Sequence, residues 1–248
     1  MSAVYILWFR QIKRFLRSRA RMIGSLGQPL LFLLALGFGF GPTYAKAGGG
    51  NYIQYLAPGV ISMGILFTAV FSGIEIIWDR QFGFLKETLV APVSRLQIVL
   101  GRTLGGATVA LFQGIVVFVV CMIAGFRFER ALFLPFALLF MFLIAILFTA
   151  IGTAIACNLE DMQGFQLVMN FLVMPLFFFS NALFPVAGLP KPLQAIIRFN
   201  PLTYGIDGMR GSFGHAYVFG LGTDFVVLGI LTAILLAVGS YFFSRIQL

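Results

Sequence analysis

The chain has 248 residues, 60% of them hydrophobic and 10% charged, with a net charge of +9. Soluble domains carry about 25% charged and about 45–50% apolar residues, so this composition excludes a soluble fold. The basic residues flank apolar runs rather than forming a polar domain, which favours anionic headgroups over nucleic acid as their partner. Cys121 and Cys157 lie inside apolar runs and His215 stands alone, so neither a disulfide framework nor a metal site is indicated.

From Tyr5 to Arg21 the pattern is helical and two-faced. Tyr5, Trp8, Phe9, Ile12, Phe15 and Leu16 share one face; Arg10, Lys13, Arg14, Arg17 and Arg21 share the other. This predicts a helix over 1–21 lying in the headgroup plane, basic face toward anionic lipid or a partner. A secretory leader is the alternative, since residues 45–47 mimic a small-residue cleavage site, but the apolar run before them is long for such a leader. Six spans are expected, over 22–41, 58–78, 103–126, 131–159, 164–185 and 225–244. Gln28 and Pro29 are expected to bend the first, and Gly101 with Gly105 gives the third a start suited to close helix packing.

Between the second and third spans lies a charged island, residues 78–102. It is expected to form a short helix over 79–90, stopped by Pro92, with Ser94 capping the helix of the next span. Orientation follows from the basic residues. With the N-terminus inside, eleven face the cytoplasm, in the first helix, in the island (Arg80, Lys86, Arg95, Arg102) and at Arg245, against six outside. Both termini and the island are therefore expected in the cytoplasm. The broken stretch 186–224, with Pro190, Pro192 and Pro201, separates the last two spans. There Asn200 is a natural helix cap, and Asp207 and Arg210 stand three apart, close enough to pair.

Catalysis or ion coupling inside a membrane calls for ionisable residues deep in the spans. Glu75 alone comes close, and it is placed roughly 10 Å toward the cytoplasmic side of its span, where its carboxylate can snorkel to water. No Gly-Lys dipeptide occurs, so the phosphate-cradling loop G-x-x-x-x-G-K-[ST] is missing and any ATP must be bound by another protein. The island is where such a protein could act. An ordinary solvated loop remains the alternative there.

Three features together resemble the membrane subunits of type-2 ATP-binding-cassette exporters. The element order agrees across the chain. The island reads DRQFGFLKE (79–87), TLVAPVSR (88–95) and LGR (100–102), although Phe84 stands where the family has Thr and Lys86 precedes Glu87 as an insertion. The late stretch carries Phe184-Pro185, Leu189-Pro190 and NPLTYGIDGMR (200–210).

The resemblance implies a single all-α transmembrane domain over 1–248 in a bacterial inner membrane. It implies a coupling helix at 79–92, with Asp79, Arg80, Lys86, Glu87, Pro92 and Arg95 meeting an ATPase subunit, and a smaller contact at 158–163. It further implies outer re-entrant helices over 186–211, with Asn200, Pro201, Tyr204, Asp207 and Arg210 at the gate. Phe67, Phe71, Asn170, Met174 and Phe178 are expected along the route. The expected partners are two ATPase copies carrying ATP and Mg, a second copy of this chain, and lipid; no cofactor is expected on this chain. The cargo class would be amphipathic or lipid-linked. A secondary transporter or channel is the rival, and an intramembrane lipid-modifying enzyme would need a catalytic constellation that the sequence does not offer.

Overall fold

A computed structural model describes residues 3–46, 50–84, 88, 90, 92–129, 131–186 and 189–244, and every regular element among them is helical. The two-faced helix α1 (Ala3–Arg17) is followed, after Ser18, by α2 (Arg19–Phe32), a π-helical stretch (Leu33–Phe38) and the short α3 (Gly41–Lys46). Next come α4 (Tyr52–Phe71) and α5 (Ile74–Gln81), which form one interrupted rod, and α6 (Arg95–Ile123). A 3-10 turn (Ala131–Phe133) opens α7 (Leu134–Cys157). The rest is α8 (Met162–Phe178), α9 (Lys191–Phe199), α10 (Pro201–Ser212) and α11 (Leu221–Ser244).

Among the described residues, five stretches are long and apolar enough to cross a membrane: Arg19–Phe38, Tyr52–Gln81, Arg95–Ile123, Ala131–Cys157 and Leu221–Phe243. The expected run over 164–185 is shorter than foreseen. Its helix α8 has 17 residues, about 26 Å at 1.5 Å per residue against a core of roughly 30 Å, and Asn181 then takes a left-handed φ of 54°. Pro29 does not break α2; lacking an N–H it leaves one rung of the ladder unmade, but the helix continues past it and widens to π spacing at Leu33, one turn later.

The α4–α5 rod is the centre of the fold. Of its apolar window 72% is buried, against 17% for Arg19–Phe38 and Leu221–Phe243, which therefore turn their apolar faces outward. Close approach depends on glycine at two crossings. A Cβ on Gly105 would lie 2.6 Å from the Cβ of Gln11, and one on Gly101 would lie 2.9 Å from that of Leu7, so α1 is seated in the glycine groove of α6. Trp8 Nε1 donates to Thr108 Oγ1 at 3.0 Å and fixes α1 along this groove. Where α4 gives way to α5, the backbone at Gly73 touches that at Gly152 of α7, leaving no room for a side chain on either. The expected caps are present: Ser94 accepts the Gln97 N–H at 3.3 Å, and Asn200 accepts the Leu202 N–H at 3.0 Å.

Candidate functional site

At the end of the rod where α5 leaves the apolar core, two buried carboxylates meet four guanidinium groups from three elements. Glu75 and Asp79 stand four apart on α5, hence on one face. Arg21 of α2 donates to Glu75 at 2.9 Å, and Arg10 of α1 donates to Asp79 at 2.9 Å. Arg14 lies 3.6 Å from Glu75 and 3.7 Å from Asp79, between the two. Arg102 of α6, itself buried, donates to the other oxygen of Asp79. Two of these cations also lie over the Trp78 ring, Arg14 at 5.2 Å and Arg21 at 5.6 Å from its centroid.

This corrects two expectations. Glu75 does not snorkel to water but is neutralised within the chain, because α1 and α2 bring arginines to it. The basic face of α1 is also divided: Arg10 and Arg14 turn inward, while Lys13 and Arg17 remain exposed.

The expected coupling residues separate in the same way. Asp79 is buried in the cluster. Arg80 reaches across to the end of α7, donating to the carbonyls of Leu159 at 3.1 Å and Cys157 at 3.0 Å, where a cation also meets the negative end of the helix dipole. Gln81 donates to the Glu160 carbonyl at 3.2 Å, so the end of α5 and the 158–161 turn form one surface. Pro92 and Arg95 are exposed; Lys86 and Glu87 lie outside the described residues. The same segment also exposes large apolar side chains: Phe82 is 70% exposed, Phe84 50% and Val90 81%. None of these three was expected as a coupling residue, because the island was weighed by its charges; the large apolar side chains inside that charged run were the available signal.

A cavity of about 450 Å³ opens beside the cluster, between α1, α2, the α4–α5 rod and α6. Phe67 and Phe71 are in its wall, as are Phe15, Arg21, Glu75 and Trp78. Asn170, Met174 and Phe178 do not share it. They lie on an exposed flank of α8, each about 100° round the helix from a member of its buried stripe of Phe165, Met169, Val173 and Phe177. The five expected route residues thus fall on two surfaces.

At the other end of the rod, Asn200 ties the start of α10 to the end of α8. Its Nδ2 donates to the carbonyls of Leu176 at 2.6 Å and Phe179 at 2.8 Å, while its oxygen caps α10. Pro201 occupies the first turn of α10, and the Tyr204 hydroxyl donates to the Arg198 carbonyl at 2.7 Å. Asp207 and Arg210 do not pair with each other. Asp207 accepts the backbone N–H groups of Val218 at 2.9 Å and Phe219 at 2.8 Å. Arg210 stacks on Tyr55, 4.1 Å from the ring centroid, and donates to the carbonyls of Tyr55 and Asn181 at 3.3 Å. Both side chains therefore close the turn that leaves α8 and the loop that enters α11. Among the described residues no cluster of three or more His, Cys, Asp or Glu side chains could hold a metal.

A family model described as ABC-2 type transporter matches residues 2–213. Nodulation protein J of Rhizobium leguminosarum bv. trifolii is 30% identical over 217 residues, covering 86% of this chain and 80% of its own. The putative transport permease ycf38 of Cyanophora paradoxa is 29% identical over 219 residues, 87% of this chain and 76% of its own. The inner membrane transport permease YadH of Escherichia coli strain K12 is 26% identical over 214 residues, 85% of this chain and 82% of its own.

Proposed function

The chain belongs to the ABC-2 type transporter membrane family, and on that premise we propose that it is the membrane-spanning subunit of an ATP-driven exporter in a bacterial inner membrane. It moves an amphipathic or lipid-linked substrate out of the cytoplasm or the inner leaflet. A separate ATPase subunit, present in two copies, binds ATP and Mg. Two copies of this chain face each other across the route, since one set of helices encloses too narrow a path. The exposed side of α8 with Asn170, Met174 and Phe178 faces that route or the second copy.

Six spans cross the membrane, both termini lying in the cytoplasm; α8 is the fifth in order, completed across the outer leaflet by the chain that follows it. The α9–α10 pair is the outer re-entrant cap. The observation that carries the coupling assignment is the exposure of Phe82, Phe84 and Val90 in a charged segment whose start, at Gln81, is bonded to the 158–161 turn. Exposed aromatic side chains in a charged segment suit a protein partner, and the ATPase grips the chain there, with Pro92, Arg95, Lys86 and Glu87 as further contacts. Asp79 and Arg80 act from inside, holding α5 to α1, α6 and α7 so that movement of that segment reaches the spans.

The test is co-purification of the detergent-solubilised chain with its ATPase, followed by vanadate inhibition of transport in reconstituted vesicles. Vectorial transport that persists with no ATPase present would sink the reading.

A further inference from the structure

The first turn of α11 buries a carboxyl group that nothing around it answers. Asp224 is fully buried, and neither of its oxygens has a hydrogen-bond partner. α10 and α11 run antiparallel here: a Cβ on Gly205 would lie 3.8 Å from the Leu228 side chain, and one on Gly211 would lie 2.9 Å from that of Leu221. This register sets Asp224 beside Gly208, the neighbour of Asp207, and Asp207 is the charged side chain that acts on it. Asp207 cannot turn away, because the Val218 and Phe219 amides hold both of its oxygens.

Among the described residues no cation compensates this second carboxyl group. Arg210, one turn along α10, is engaged with Tyr55 and Asn181. The Tyr204 hydroxyl donates to the Arg198 carbonyl, the His215 ring lies 3.0 Å from the Arg127 carbonyl, and Tyr217 is half exposed. Of the other helices packed on α11, α7 carries no charged residue, and the two of α6, Arg95 and Arg102, stand at its opposite end. The start of α11 itself offers about half a positive charge, less than the full negative charge of Asp207. A second charge enclosed beside the first is relieved by neutralisation.

We propose that Asp207 and Asp224 together hold one proton, carried on Asp224, at the junction of α10 and α11. It sits on Asp224 because Asp207 already accepts amide bonds that favour its charged form. A proton needs one oxygen and no coordination shell, whereas no cluster of three or more metal-ligating side chains is present among the described residues. Loss of the proton sets two like charges against each other in a dry site, which pushes the start of α11 and the loop 213–220 away from α10. The proposed function enters only in placing this junction on the outer side, whose pH then governs the hold of the cap.

Asp224→Asn keeps the shape of the side chain and removes its ionisation. The full detergent-solubilised chain and this variant are compared by thermal unfolding between about pH 6 and about pH 8. A proton held in the folded chain and released on unfolding makes stability fall as pH rises. Relative to Asp224→Asn, the wild-type Tm is expected to drop by about 4 °C for each pH unit. Infrared spectra of the folded chain give a second readout. The carbonyl stretch of a protonated carboxyl group is expected in the wild type at neutral pH and is expected to vanish in Asp224→Asn. In Asp207→Asn, which removes the like charge, it is expected to vanish at lower pH than in the wild type.

A Tm difference that does not change with pH, or a wild-type spectrum with no protonated carboxyl stretch at neutral pH, overturns the proposal. So does stabilisation by added calcium or sodium ions that Asp224→Asn abolishes, because the ligand would then be a metal ion. Neither measurement needs ATP or the partner ATPase, so this inference can fail while the exporter reading stands, and the reverse.

Discussion

Asp79→Asn isolates the charge cluster. In the folded chain Asp79 and Arg102 are each only 4% exposed, and Asp79 also receives Arg10. The Nε and Nη1 atoms of Arg102 have no hydrogen-bond partner, so the carboxylate is what compensates its charge. Asparagine keeps one acceptor oxygen and loses the charge. Removing one partner of a buried pair leaves the other uncompensated and costs about 3–5 kcal/mol. The retained hydrogen bond puts Asp79→Asn near the lower end, about 3 kcal/mol. Arg10 is 39% exposed and adds little, because solvent screens it. For a chain of this size the loss corresponds to a fall in apparent Tm on the order of 10 °C.

The assay is thermal unfolding of the detergent-solubilised chain for Asp79→Asn, Arg102→Met and the double variant. Arg102→Met with Asp79→Asn removes both charges from the buried site and is expected to be more stable than Asp79→Asn alone. Additive losses in the double variant, or no loss from Asp79→Asn, would refute the claim that the two groups compensate each other in a dry site.

Gly105→Leu drives a side chain into Gln11 and is expected to lift α1 from α6 at a cost of about 1–3 kcal/mol, seen as faster backbone hydrogen exchange over residues 3–17. Asn200→Ala removes the α10 cap and both ties to α8; a loss of about 2 kcal/mol is expected, with hydrogen exchange rising over 176–181 as well as at the start of α10. Phe82→Ser with Phe84→Ser is expected to weaken retention of the ATPase subunit by about tenfold or more while thermal stability stays unchanged, since both rings are at least half exposed. A drop in stability without loss of the ATPase would assign those rings to the fold instead.

Local features were legible because their causes are local. Ser94 and Asn200 cap the helices that follow them, since a cap needs only a side-chain oxygen and an N–H two or three residues on. Gly101 and Gly105 marked a close crossing, although nothing in their spacing said that α1 would fill it. The Asp207–Arg210 pair shows the limit of such reasoning. Spacing of three allows the contact, but Asp207 finds the Val218 and Phe219 amides and Arg210 finds Tyr55, partners that sequence spacing cannot reveal.

Sequence by itself determined that the chain is a membrane protein, where most of its spans run, which ends carry caps and, through the island and the NPLTYGIDGMR stretch, which family it resembles. These follow from hydropathy, short-range hydrogen bonding and motif order, all of which can be read within a window of the chain. Only the tertiary structure decided that Glu75 and Asp79 are answered by Arg10, Arg14, Arg21 and Arg102, that Phe82 and Phe84 are left outside, and that a cavity opens between four elements. The physical reason is common to all three. Each is set by how elements far apart in the chain pack: the arginines that answer Glu75 and Asp79 come from α1, α2 and α6 and meet them only where these helices lie against the α4–α5 rod.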